Sequence, residues 1–398
     1  MKHSKQAWRL FFPLFIVLLC VQLASAFPPG DPCGKNDEVY PKAVALTDHL
    51  NQITAEQISN FYSRRHENRL DAFNGCVLVA KDGQVVYKGA FGYGNIQYKD
   101  TLTTETPFQL ASVTKTFTAT AILKLVEEGK IALSDPIQKF FPEFPYQGIT
   151  VKLLLTHRSG LPDYIYWGKE SGNSVDYLDN QALVKRFIRT KPAVRCRPDR
   201  MFMYSNTNYA LLGAVIEQVT GMTYQNYMQE NIFRPLGMYN TFAFDVRDSL
   251  GHCGSACYQS RWKEWNLTYS DGVMGDKGIY ASVEDMMIWD KALREGKVIS
   301  PEMMGEAYLP RSLDRYSFSK DKSRNYGYGW RMVKQKEGYL IYHNGNWHGC
   351  NNVFARDLNS GYTVIVLSNK ANEKNYFTQP VWDIIENVKN LQNIASLQ

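Results

Sequence analysis

Phe108-Gln-Leu-Ala-Ser112-Val-Thr-Lys115-Thr-Phe117-Thr-Ala-Thr-Ala121-Ile-Leu-Lys-Leu125 is the stretch on which the fold turns. Before it the chain reads in short β-rich runs. From Ser112 the spacing of Phe117, Ala121 and Leu125 becomes that of one helix face, and Gly129 stands where a C-terminal cap falls. Ser112 and Lys115 are three residues apart, which on a helix brings hydroxyl and ammonium to one face, a turn apart. A serine hydroxyl is a weak nucleophile until a base takes its proton, and a lysine withdrawn from water can be that base. Ser112 also opens the helix, where free N–H groups and the dipole favour developing negative charge.

On the N-terminal side, residues from about Pro41 to Leu70 carry an amphipathic helical pattern. Cys76-Val-Leu-Val-Ala80 and Gln84-Val-Val-Tyr-Lys88 follow, joined by Lys81-Asp82-Gly83, and two β-rich runs meeting at Asp-Gly predict a hairpin. On the C-terminal side, helices are expected over about Asp179–Arg189, Thr207–Val219, Tyr224–Ile232 and Val283–Leu293. Strands are expected over Tyr326–Val333, Tyr339–His343, Asn352–Arg356 and Tyr362–Leu367, with a last helix over about Pro380–Val388. Sheet, then helices, then sheet gives an α+β class, an antiparallel sheet flanked by helices with a helical lobe inserted. The expected layout is a leader over residues 1–26 and one domain over 27–398, with a sheet lobe at about 41–111 and 270–390 and a helical lobe at about 112–269.

Charged residues make up 21% of the 398 and hydrophobic ones 44%, a globular balance that excludes a disordered or fibrous chain. The first 26 residues read as a signal peptide, with an uncleaved anchor as the alternative reading. Lys2, Lys5 and Arg9 form its basic start, Leu10 to Leu23 its apolar stretch, and Ala24-Ser25-Ala26 its cleavage site. The expected location is therefore outside the cytoplasm, periplasmic or extracellular, with no later segment apolar enough to span a membrane. Losing the leader removes three basic residues and no acid, so the formal charge falls from +6 to +3, which points to no nucleic-acid partner. Six cysteines remain (Cys33, Cys76, Cys196, Cys253, Cys257 and Cys350), enough for three disulfides whose connectivity spacing does not give, although Cys253 and Cys257 are near enough to pair locally. His252, Cys253 and Cys257 lack a fourth metal ligand.

S-x-x-K alone discriminates little, since Ser260, Ser317 and Ser319 each have a lysine three residues on. Those three lie in polar stretches; only Ser112 opens an apolar helix. Tyr204-Ser205-Asn206 precedes another apolar helix, where a phenol could shuttle a proton and an amide could hold Lys115 and a substrate amide. A packed Tyr with a helix cap at Ser205 or Asn206 accounts for the same residues. His343-Asn344-Gly345 closes a strand, and a cation there beside a glycine suits a substrate carboxylate or carbonyl. Trp347 and His348 follow directly and are read as lining the cleft, although simple packing would also place them. Asn266-Leu-Thr268 is the one N-glycosylation sequon.

Taken in order, Ser112-x-x-Lys115, Tyr204-x-Asn206 and His343-x-Gly345 resemble the motifs of the serine β-lactamase/penicillin-binding superfamily, in the branch of class C β-lactamases, D-Ala-D-Ala carboxypeptidases and esterases. Leu153-Leu-Leu-Thr-His-Arg-Ser-Gly-Leu-Pro-Asp163 and Phe233-Arg-Pro-Leu-Gly-Met238 extend the resemblance over roughly residues 40 to 390. It implies the β-lactamase/transpeptidase-like fold and an acyl-enzyme on Ser112, with Lys115 and Tyr204 managing protons. It implies an oxyanion hole of the Ser112 and Asn346 backbone N–H groups, substrate contacts from Asn206, His343 and Gly345, a small-molecule or peptide substrate, and no metal or cofactor. His343 stands where classical β-lactamases have the lysine of K-T-G, and a neutral imidazole attracts a carboxylate less than an ammonium does. The expected function is accordingly an exported serine hydrolase of a peptide, amide or ester bond. The alternatives are a true class C-like β-lactamase and a non-catalytic binding protein on the same fold.

Overall fold

Strand β1 (Gly75–Lys81) is apolar along almost its whole length, and the structure, a computed structural model, buries it on both faces. It turns through Asp82 (φ 48°) and Gly83 (φ 78°) into β2 (Gln84–Phe91); positive φ at both central residues is what the right-handed twist of a two-residue hairpin requires. The structure describes residues 49–67, 73–167, 177–246, 254–312, 324–372, 374 and 378–395. The leader, Cys33, Pro41, Leu70, His252 and Cys253 lie outside these.

In chain order the other strands are β3 (Tyr93–Asn95), β4 (Asp100–Thr101), β5 (Phe108–Gln109), β6 (Phe242–Ala243), β7 (Ile279–Ala281), β8 (Arg324–Tyr326), β9 (Arg331–Lys334), β10 (Tyr339–Trp347), β11 (Cys350–Asp357) and β12 (Tyr362–Ser368). The helices are α1 (His49–Glu67), α2 (Thr114–Glu127), α3 (Val151–Leu155), α4 (Asn180–Thr190), α5 (Asn206–Thr220), α6 (Tyr224–Met228), α7 (Arg234–Leu236), α8 (Val283–Arg294), α9 (Pro301–Ala307) and α10 (Gln379–Ala395). Seven strands form one antiparallel sheet in the order β2-β1-β12-β11-β10-β9-β8. Strands from both ends of the sequence thus meet at the β1–β12 ladder, which runs from Gly75 opposite Ser368 to Lys81 opposite Tyr362. A small sheet, β5-β7-β6, carries the chain from the large sheet into α2.

The period-2 alternation of β1 and β12 sorts their side chains between two cores. Val77, Val79, Val364 and Val366 pack with Ile58 and Tyr62 of α1 and Val381 and Ile385 of α10. Cys76, Leu78, Ile365 and Leu367 face the opposite core, built with α2, α5 and α8. Helix α2 is buried nearly all round, and its Phe117 stacks on Trp289 of α8 with ring centroids 4.3 Å apart. Such a helix cannot be shifted without repacking both sides, which makes it a rigid base for whatever its first turn carries.

The α+β class and antiparallel sheet are those expected from the sequence, while several local readings are corrected. The helix expected from Ser112 begins as a 3₁₀ turn, Ala111–Val113, and becomes α-helical at Thr114. The strand expected over Tyr326–Val333 is broken at Gly327–Trp330. Gly329 has φ +84°, and a Cβ on Gly327 would lie 2.1 Å from the Ala307 carbonyl oxygen, so chain reversal and close packing override the β-rich composition there. The helix expected over Tyr224–Ile232 loses its α-pattern at Gln229, passing through a π-turn to Phe233. Helices α3 and α9, one of five and one of seven residues, were too short to read by periodicity. Cys257 pairs with Cys350, 93 residues away, and not locally with Cys253, while Cys76 and Cys196 are free. No described helix is long and apolar enough to cross a membrane.

Candidate active site

Ser112 sits in the 3₁₀ turn between β5 and α2, pinned from two sides. On one side the Leu110 N–H donates to Ile279 O of β7 at 2.8 Å; on the other, Asn352 Nδ2 of β11 donates to Gln109 O at 2.8 Å. Gly345 of β10 lies directly against the turn, where any Cβ would be 2.1 Å from Leu110 O. Glycine at the third motif is therefore a close-approach requirement. Ala111, fully buried, is held at φ +51°, a left-handed conformation costing a non-glycine residue on the order of 1–3 kcal/mol. The Ser112 side chain that follows lies within hydrogen-bond reach of Lys115.

Lys115, on the first turn of α2, is completely buried, and its ammonium finds three acceptors: Ser112 Oγ at 3.1 Å, Asn206 Oδ1 at 2.8 Å and the Asp276 carbonyl oxygen at 2.8 Å. Three donors meeting three acceptors is full satisfaction of a buried ammonium. Asn206, the first residue of α5, is itself oriented. Its backbone N–H and its Nδ2 both donate to Asp163 Oδ2, at 3.0 and 2.9 Å, so its oxygen must face Lys115. Burial pushes the Asp163 carboxyl up from its usual range, and the bonds from Asn206 and Ile165 oppose that.

Tyr204 reaches this pair through its ring. Lys115 Nζ lies 5.1 Å and the Arg331 guanidinium 4.8 Å from the ring centroid, and the His157 ring packs at 4.3 Å. His157 Nδ1 accepts from Ser205 N at 3.2 Å, which fixes the approach to α5. Burial, then the charges of Lys115 and Arg331, holds His157 neutral, well below the usual imidazole range.

His343 is not the cation expected at the strand end. It is completely buried, and burial followed by the charges of Arg331 and Lys115 keeps its pKa well below the usual imidazole value. Its Nδ1 faces Asn344 O at 2.8 Å and must donate to it, so its Nε2 accepts from the Tyr326 hydroxyl at 3.1 Å. Both nitrogens are engaged within the protein, and no charge is offered to a carboxylate. Asn346, three residues further, is exposed on the same strand, opposite Asn351.

The structure thus brings Ser112, Lys115, Asn206 and Gly345 to one place, sets Tyr204 and His343 around it, and leaves Asn346 on its open edge. Asp163, His157, Asp276 and Arg331 were not singled out as site residues. Asp163 and His157 stand in the Leu153–Asp163 segment and could have been weighed; Asp276 contributes a backbone carbonyl, which no side-chain motif reveals. Behind Asp276, Lys277 is buried with Nζ on Tyr164 Oη (2.5 Å) and Ser270 O (2.9 Å), while Tyr164 donates to Asp276 Oδ2 at 2.9 Å. The described residues include no cluster able to hold a metal.

The β-lactamase family model matches residues 64–383. Penicillin-binding protein 4* of Bacillus subtilis (strain 168) is 33% identical over 319 residues, 76% of this chain and 70% of that protein. The octameric penicillin-binding protein homologue of Pyrococcus abyssi is 28% identical and superposes with TM-score 0.69 over 79% of this chain and 73% of that one. The D-amino acid amidase of Ochrobactrum anthropi SV3, at 23% identity, shares the fold with TM-score 0.68 over 87% of this chain and 100% of that one.

Proposed function

The chain belongs to the β-lactamase family, within the serine β-lactamase/penicillin-binding superfamily, and from that premise we propose that it is an exported serine hydrolase of a peptide, amide or ester bond. The observation that carries the reading is the Ser112–Lys115–Asn206–Asp163 chain of hydrogen bonds, which aims a lysine at a serine hydroxyl and fixes both.

In this reading the reacting form of Lys115 is the neutral amine, still donating to Asn206 Oδ1 and the Asp276 carbonyl oxygen. Its lone pair takes the Ser112 hydroxyl proton as Oγ attacks the substrate carbonyl carbon. The resulting oxyanion lies between the backbone N–H groups of Ser112 and Asn346, held by the 3₁₀ turn and by β10. Collapse of the tetrahedral adduct breaks the bond to the leaving group, which takes the proton back through Lys115 and Tyr204, and leaves an acyl ester on Ser112. Water, giving its proton to the same base, then hydrolyses that ester and restores the hydroxyl. With His343 neutral and internally bonded, the ammonium of a K-T-G motif has no counterpart at that position, which favours an amidase, peptidase or esterase over a β-lactamase.

The test is intact-mass detection of adducts with a fluorescent penicillin and an activated ester, on wild type, Ser112→Ala and Lys115→Met. An adduct that disappears in Ser112→Ala, and forms about 10²- to 10⁴-fold more slowly in Lys115→Met, is expected. Folded protein with no adduct from either probe sinks the proposal, and rapid penicillin turnover would make the protein a β-lactamase. Export is tested by terminal sequencing of the secreted chain, which is expected to begin at Phe27.

A further inference from the structure

Immediately past the proposed oxyanion position, three aromatic rings stand in file. The His348 ring lies between two indoles, 4.5 Å from Trp347 and 5.6 Å from Trp265 by ring centroids. Trp347 is on the same face of β10 as His343 and Gly345, the face pressed against the Ser112 turn, and Trp265 is 44% exposed. The file is built rather than incidental. Asp271 is buried, and its two oxygens take Trp347 Nε1 at 2.6 Å and His348 Nε2 at 2.8 Å. Burial raises the Asp271 pKa, but the His348 bond and the Lys277 charge outweigh it and keep the carboxylate ionised. Lys277 Nζ supports Trp347 from 5.1 Å beneath the ring. Trp265 arrives from a separate loop closed by Trp265 N–H to Cys257 O (3.0 Å), and the Cys257–Cys350 disulfide fastens that loop beside the His348-Gly349 turn. Gly349 leaves no room for a Cβ, which would lie 2.1 Å from Tyr258 O. His348 itself is held at φ +48° to fit.

The file also has a direction. Tyr204, the proposed proton donor to the leaving group, packs at the His343 end of β10, with centroids 6.2 Å apart. Trp347 is four residues further along, about 13 Å at strand spacing. With the carbonyl oxygen between Ser112 and Asn346, the leaving group lies toward Tyr204 and the acyl substituent toward Trp347. We propose that the exposed Trp265, backed by His348 and Trp347, forms an acyl-side subsite that selects substrates whose acyl group carries an aromatic ring or a comparably flat apolar group. This rests on the hydrolase reading for its orientation, but not for the existence of an aromatic-binding surface.

The test compares S-acetyl and S-phenylacetyl esters of methyl thioglycolate, whose leaving group is not aromatic, with thiol release read by a disulfide dye. Wild type is expected to prefer the phenylacetyl thioester, and Trp265→Ala to lower the phenylacetyl-to-acetyl ratio of kcat/KM about 10-fold, with Trp265→Phe restoring most of it. An unchanged ratio in folded Trp265→Ala overturns the subsite while leaving the hydrolase standing. If wild type turns over neither thioester, the hydrolase reading fails separately, and tryptophan fluorescence titration with phenylacetamide against acetamide decides the surface. Saturable quenching by phenylacetamide that Trp265→Ala weakens supports the subsite, and equal or absent response overturns it.

Discussion

One oxygen of Asp163 receives both the backbone and the side-chain N–H of Asn206, at 3.0 and 2.9 Å, and thereby decides which end of the Asn206 amide faces Lys115. A free amide could present either its oxygen or its NH₂; beside an ammonium only the oxygen is attractive. Asp163→Ala is expected to slow Ser112 acylation about 10- to 100-fold, the equivalent of losing charge-assisted bonds worth roughly 1.5–3 kcal/mol. Stopped-flow acylation with an activated ester checks this. A wild-type rate in folded protein would show that Asn206 orients itself.

Gly345 transmits the position of β10 to the Ser112 turn by direct contact with Leu110 O. Gly345→Ala places a methyl group where backbone already stands, so either the strand or the Ser112 turn moves. Acylation is expected to drop by about 10²-fold or more, in keeping with an ångström-scale misplacement of reacting groups. Melting temperature is expected to fall as well. A variant that melts lower yet acylates normally would separate the packing role from the catalytic one.

Histidines and a buried carboxylate set opposing acid responses. His157 and His343 are held neutral by burial and by nearby cations, so unfolding lets each take up a proton below its ordinary value of about 6.5. Their stabilisation is full above that pH and is lost as pH falls toward their depressed folded values, at up to about 1.4 kcal/mol per pH unit each. Asp285, buried and pushed up to about 7, acts the other way: its contribution is full below the ordinary carboxylate value and is lost as pH rises through about 7. Asp285→Asn should therefore gain melting temperature relative to wild type at pH 8 and not at pH 4, and His343→Gln should soften the acid loss below pH 6.5. Calorimetric scans from pH 4 to 8 decide both.

The Cys257–Cys350 bond closes a loop of 93 residues and fixes the segment that carries Trp265. Cys257→Ser is expected to cost about 2–4 kcal/mol in denaturant unfolding. It should also lower the proposed aromatic preference while Ser112 acylation by a small activated ester persists. Cys76 is buried, with its thiol pKa raised by burial, and should stay unlabelled by maleimide until the protein unfolds.

The Ser112–Lys115 pairing was legible because its cues are local. A change from β-rich runs to a 3.6-residue period, and a hydroxyl three residues from an ammonium, need no knowledge of the rest of the chain. The Asp82-Gly83 hairpin and the sheet–helix–sheet order were legible for the same reason, and they suffice for the α+β class. The broken strand at Gly327–Trp330 was not, because its β-rich composition is overridden by packing against Ala307 and Ala119, residues that lie elsewhere in the sequence.

By itself, then, the sequence determined the class, the order of the elements and the serine–lysine pair. Only the tertiary structure decided that Asn206 is turned by Asp163, that Lys115 is completed by the Asp276 carbonyl, that His343 is an internal neutral donor and acceptor, and that Cys257 joins Cys350. The reason is physical. Period and turn chemistry depend on neighbours a few residues away, whereas charge state, amide orientation and disulfide choice depend on which distant groups replace water around a buried atom.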